Sequence, residues 1–113
     1  MVDGMELFAE RERIKTSLEN SLKRAYENGI EAAEKTRLYR IALAKKMLEL
    51  KEQGVQISIL EKLAKGTEQV SRCEFEMNVA DVKYMASREN IMAQKKLLES
   101  IEADIKREYY KGE

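Results

Sequence analysis

From Leu18 onward, apolar or small positions recur in alternating steps of three and four: Leu18, Leu22, Ala25, Gly29, Ala32, Thr36, Tyr39, Leu43, Met47 and Leu50. That spacing is one continuous face of an α-helix, and it predicts a first helix from about Met5 to Gln53. Asn28-Gly29 is a turn signal that would divide this helix. Gly29 nevertheless falls in phase with the apolar face, and no Ser, Thr, Asp or Pro follows directly to start a new helix. The reading therefore keeps the helix continuous, with Ala25, Gly29, Ala32 and Ala33 as a small-residue patch that lets a neighbour approach closely.

The pattern breaks after residue 53. Gly54 is a stop signal, and Ser58-Ile59-Leu60-Glu61 has the form of a capping box. A short helix is expected over Ile59–Lys65, ended by Gly66, with Thr67 as the cap of the next helix and Glu68 in its first turn. That last helix, about Glu68 to Tyr110, repeats every seven residues. One row reads Val70, Met77, Tyr84, Ile91, Leu98, Ile105, and the interleaved row reads Cys73, Ala80, Ser87, Gln94, Ile101, Glu108. The first row is apolar or aromatic throughout and the second is permissive, which describes a coiled-coil-like seam.

The last helix carries a second apolar face. Phe75, Val79, Val82, Ala86, Ala93 and Leu97 centre opposite the seam at 3.6 residues per turn. On the first helix Ile30, Ala33, Ile41, Ala44 and Leu48 widen the stripe in the same way. Helices of roughly 73 and 64 Å, at 1.5 Å per residue, exceed the diameter of a compact domain of this size. The fold expected is all-α: an elongated antiparallel helical hairpin, two long helices joined by a short one, in a single domain. A lone hairpin leaves the second stripes wet, so two copies are expected to associate as a dimeric four-helix bundle. The residues expected at that oligomer interface are Phe75, Val79, Val82, Ala86 and Leu97, with Ile41 and Leu48. The methionines Met47, Met77, Met85 and Met92 read as gap-fillers or as an adaptable contact surface.

Composition narrows the chemistry. The 113 residues include 21 Lys plus Arg, 21 Asp plus Glu, one Cys, and no His, Pro or Trp. Without His the chain lacks the commonest general acid/base and the commonest metal ligand, so neither catalysis, a metal nor a cofactor is expected. Cys73 reads as a structural thiol, since Glu74 and Glu76 beside it oppose thiolate formation. No stretch approaches the roughly 20 apolar residues of a membrane helix. The first 13 residues lack the apolar core of a signal peptide. A cytoplasmic protein without membrane partner or small-molecule substrate is the expectation.

The balanced charge hides an uneven distribution. Lys35, Arg37, Arg40, Lys45 and Lys46 form a basic run around Tyr39, whereas Glu68, Glu74, Glu76 and Asp81 crowd the start of the last helix. A hairpin pairing residue i with roughly residue 121 − i brings the two runs together and lets the charges fix register. The competing reading makes the basic run a polyanion contact for a nucleic-acid-associated accessory factor. Residues 54–72 have a superficial helix-turn-helix look, but the glycine is misplaced and the last helix is far too long for a recognition helix.

Two resemblances complete the reading. In Ala25-Tyr26-Glu27-Asn28-Gly29-Ile30, Ile41-Ala42-Leu43-Ala44-Lys45 and Leu63-Ala64-Lys65-Gly66, the chain resembles small uncharacterised helical-hairpin proteins encoded by bacterial phages and prophages. That resemblance implies a cytoplasmic accessory or assembly protein and supplies no catalytic residue. Tyr109-x-x-x-Glu113 is similar to the C-terminal export element of the secreted Trp-x-Gly helical hairpins, whose defining Trp this chain lacks. The function expected is helical self-association and protein interaction, with a homodimer as the first assembly and a different protein as a further kind of partner.

Overall fold

The computed structural model describes residues 4–110, and every element in them is helical: α1 (Gly4–Glu52), α2 (Ile57–Lys65) and α3 (Glu68–Tyr110). α1 runs unbroken through Asn28-Gly29. An interior glycine costs about 1 kcal/mol relative to Ala, too little to break a helix whose face is packed on both sides of it.

The end of α1 is set by backbone chemistry. Gly54 adopts φ +90°, the left-handed region that favours glycine. Its N–H donates to the Lys51 carbonyl (3.0 Å), and the Val55 N–H donates to the Leu50 carbonyl (3.1 Å). This 5→2 and 6→1 pair is a Schellman motif, which satisfies carbonyls that the helix end would leave orphaned.

α2 corrects the expected capping. Its N-cap is Gln56, in extended backbone and with no side-chain cap bond, so Ser58 lies inside the helix and its capping box is not formed. The helix begins as soon as the Schellman turn has reversed the chain, and its phase buries Leu60 and Ala64. Gly66 ends it in a right-handed conformation. Thr67 then serves both neighbours: its hydroxyl donates to the Ala64 carbonyl (2.7 Å), and its carbonyl accepts the Ser71 N–H (2.9 Å), the first hydrogen bond of α3.

Two compact units pair α1 with α3. The first comprises α1 up to Tyr26 and α3 from Met85; the second runs from Glu27 to Tyr84 and includes α2. In the first, Phe8 packs on Tyr109 with ring centroids 5.1 Å apart. Farther along it, Asn90 Nδ2 donates to Ser21 Oγ (3.0 Å) and Gln94 Nε2 to Ser17 Oγ (2.9 Å). In the second, Tyr84 lies over Gly29, Lys83 bridges to Glu31 and Lys35 to Glu76. Each unit is thus an antiparallel pair, with residue i facing roughly residue 113 − i, about two helical turns from the register expected from the sequence. α2 occupies the offset, near enough for Lys65 and Glu61 to act electrostatically on Tyr39.

The α3 seam is the expected one. Val70, Ala80 and Ile105 are buried, while Met77, Tyr84, Ile91 and Leu98 are half-buried. On α1, Leu7, Ser21, Ala25, Ala32 and Ala42 are buried. Leu22, expected in that seam, is 47% exposed because Ser21 takes the inward place and meets Asn90.

Candidate interaction surface

Most polar contacts between α1 and α3 gather along one flank of the seam. Successive residues of α3 show it twice, seven positions apart. In Lys83-Tyr84-Met85, Lys83 reaches Glu31 (3.1 Å), Tyr84 packs on Gly29 and Met85 is exposed. In Asn90-Ile91-Met92, Asn90 bonds Ser21, Ile91 sits half-buried in the seam and Met92 is exposed. At 3.6 residues per turn, Met85 and Met92 lie about 200° round the helix from Lys83 and Asn90 on the arc that crosses the seam. α1 repeats the arrangement in Glu31-Ala32-Ala33: Glu31 is ion-paired, Ala32 buried and Ala33 exposed. One flank holds most of the polar latches, and the other, apart from the bond of Tyr39 to Glu74, is open. The open row on α1 reads Glu19, Tyr26, Ala33, Arg40, all exposed, with Tyr26 at 72%.

The side chains expected at an oligomer interface occupy the back of the helices. Phe75, Val79, Val82, Ala86 and Leu97 on α3, and Ile41 and Leu48 on α1, are all exposed, Phe75 to 68%. The sequence pattern disclosed this stripe because it keeps helical period. It did not separate the open flank, since Tyr26, Met85 and Met92 gain their meaning only once Ser21, Glu31, Lys83 and Asn90 have fixed the opposite one.

The basic run is partly neutralised. Lys35 pairs with Glu76 across the helices (3.5 Å), Arg37 with Glu34 (2.6 Å) and Lys46 with Glu49 (3.1 Å) within α1. The Arg37 hydrogen bond holds the Glu34 carboxyl below its ordinary range, and Glu34 in turn raises Arg37. Arg40 and Lys45 are exposed. The observed register sets the run beside Glu68 to Glu76 and leaves Asp81 out of it.

Tyr39, within that run, donates its hydroxyl to Glu74 (3.0 Å). Burial, and after it the Glu74 carboxylate, pushes the Tyr39 pKa up. A raised folded-state pKa gives stability that is complete below the unfolded value, about 10, and lost as pH rises through the folded one. Tyr39→Phe is therefore expected to flatten the decline of the urea midpoint as pH rises above about 10. An alkaline decline of the same slope in both proteins would contradict this coupling.

The remaining chemistry is sparse. Cys73 is a half-buried free thiol. Among the described residues no group of three or more His, Cys, Asp or Glu could hold a metal ion, and no helix is long and apolar enough to cross a membrane. A groove of about 620 Å³ lies beside Phe8, Arg11, Glu102, Lys106, Tyr109 and Tyr110. Arg11 stacks on Phe8 (4.9 Å to the ring centroid) in its wall, and Tyr109 covers Gly4. Tyr109 thus anchors the end of α3 on the start of α1, whereas Glu113 of the export-like element lies outside the described residues. No family model, curated protein or solved structure matches this chain.

Proposed function

We propose that this chain is a non-enzymatic helical protein whose activity is self-association, two copies closing into a four-helix bundle. The observation that carries the proposal is its surface: large apolar side chains such as Tyr26, Phe75, Val82, Met85 and Met92 stand exposed, while Ala25, Ala32, Ala42, Ala64 and Ala80 fill many of the buried positions. Much of the surface is apolar, and two regions outside the seam supply it. One is the back of α3 at Phe75, Val79, Val82, Ala86 and Leu97, joined on α1 by Ile41 and Leu48. The other is the open flank at Leu22, Tyr26, Met85 and Met92.

The absence of His from the sequence and the shallow grooves support a binding role over a catalytic one. A nucleic-acid role is the weaker alternative, because Lys35, Arg37 and Lys46 of the basic run already hold carboxylates. A cytoplasmic accessory or assembly protein of phage or prophage origin is the biological setting that accords with this chemistry. If copies associate, mass action makes thermal stability depend on concentration. The melting temperature is expected to rise by several degrees over a hundredfold increase in chain concentration; a constant value would count against association.

A further inference from the structure

Self-association leaves open which faces meet, and one apolar patch with its own charges lies wholly within the first unit. Leu22 and Tyr26 of α1 and Met85 and Met92 of α3 stand exposed on the open flank. The same heptad rows continue into Lys15 and Glu19 on α1 and into Glu99 on α3, with Lys95 beside it, all four exposed. Glu19, Lys95 and Glu99 have no ion-pair partner among the described residues, and Lys15 only approaches Glu12 at 4.0 Å. At 100° per residue, Leu22 stands about 70° and Tyr26 about 110° round α1 from the centre of its seam. On α3, Lys95 stands about 70° and Met92 about 130° from the seam centre. Both faces are thus centred near a right angle to the seam, whereas Phe75 and Val82 point almost directly away from theirs. In the second unit the same two rows of α1 reach Leu43, Met47 and Leu50, which are half-buried. There a helix accompanies the flank: Lys65 and Glu61 of α2 are close enough to act on Tyr39, whose hydroxyl bonds Glu74.

We infer that the second copy docks on this patch, α1 of each copy packing antiparallel on α3 of the other about a two-fold axis parallel to the helices. The inference rests on the self-association reading and specifies its geometry. In a four-helix bundle each helix touches two neighbours on adjoining faces, so its second seam must stand near a right angle to its first. A two-fold along the helices keeps each residue at the level it already holds, with residue i facing roughly residue 113 − i. Leu22 and Tyr26 then fall between Met92 and Met85 of the other copy, and the flexible thioethers fit themselves to the tyrosine ring. At the same register Glu19 meets Lys95 of the other copy, and Lys15 meets Glu99. Two opposite-charge pairs at one end of an apolar contact choose which helices meet and in what register. The charges of the patch therefore favour a second copy over an unrelated apolar partner.

Mixing two charge-reversed chains tests the pairing by sedimentation equilibrium of the full-length protein. Glu19→Lys faces Lys95 of the other copy with a second ammonium, and Lys95→Glu faces Glu19 with a second carboxylate. Each variant alone is expected to associate at least about tenfold more weakly than the unmodified chain. An equimolar mixture of the two makes both pairs complementary again and is expected to return the dissociation constant to within about threefold. Within either variant the two positions carry like charges, so recovery on mixing arises only between copies. It also shows that both variants fold. Val79→Glu plus Val82→Glu, on the back of α3, is expected to leave the dissociation constant unchanged. Association untouched by either reversal, absence of recovery on mixing, or dissociation by the Val79/Val82 pair would overturn this geometry while leaving self-association standing. An unmodified chain monomeric at every concentration would overturn the self-association reading and the geometry with it.

Discussion

Val70→Ala is expected to cost about 2 kcal/mol of folding stability, whereas Val82→Ala on the same helix is expected to cost less than about 0.5 kcal/mol. The chemistry removed is identical. Val70 is 1% exposed and Val82 is 65% exposed. At Val70 the deletion loses buried methyl groups and leaves a cavity that the first turn of α3 must bear. At Val82 the methyls already meet water in the separate chain. Urea unfolding with unchanged m-values would measure both. Equal costs would mean that the seam and the back of α3 are wrongly distinguished. A large cost at Val82 confined to high chain concentration would instead make the back of α3 an association surface.

Gly29→Val is expected to destabilise by about 2–3 kcal/mol, the range of overpacking in a filled contact. A Cβ at Gly29 would sit 3.1 Å from Cε1 of Tyr84 and 3.4 Å from its Cζ. Two added γ-methyls have no room unless the ring or the helices move apart. Gly29→Ala is a closer contest. Relief of the glycine's helix cost, about 1 kcal/mol, opposes a ring displacement of a few tenths of an ångström, so a change of less than about 1 kcal/mol is expected. The combination of Gly29→Val with Tyr84→Ala tests the cause: the double variant is expected to lose less than the sum of the two singles, because the ring that obstructs valine is gone. Additive losses would place the cost in helix propensity and not in the contact.

The parts of this fold legible in sequence were those governed by period. The seven-residue row from Val70 to Ile105 and the continuity of α1 through Gly29 follow from spacing alone, and the structure has both. Gly54 announced the end of α1 because a left-handed cap has few alternatives to glycine. Features that depend on what lies across the seam were not legible. Leu22 and Ser21 compete for one inward place on α1, and the choice is made by Asn90, 69 residues away in sequence. The register likewise is seen only in pairs across the seam, such as Gly29 with Tyr84 and Lys35 with Glu76, and no periodicity encodes it. Ser58 had the residue pattern of a capping box, but the Schellman turn starts α2 at Ile57 and leaves Ser58 within it. For the surface, the stripe from Phe75 to Leu97 could be read directly. The open flank could not, because it is defined by the contacts that close the other side.

Sedimentation equilibrium of the intact chain tests self-association most directly. The account predicts a species of twice 13.1 kDa at micromolar concentration, dissociating on dilution as a single monomer–dimer equilibrium. A mass of 13.1 kDa at every concentration would contradict it.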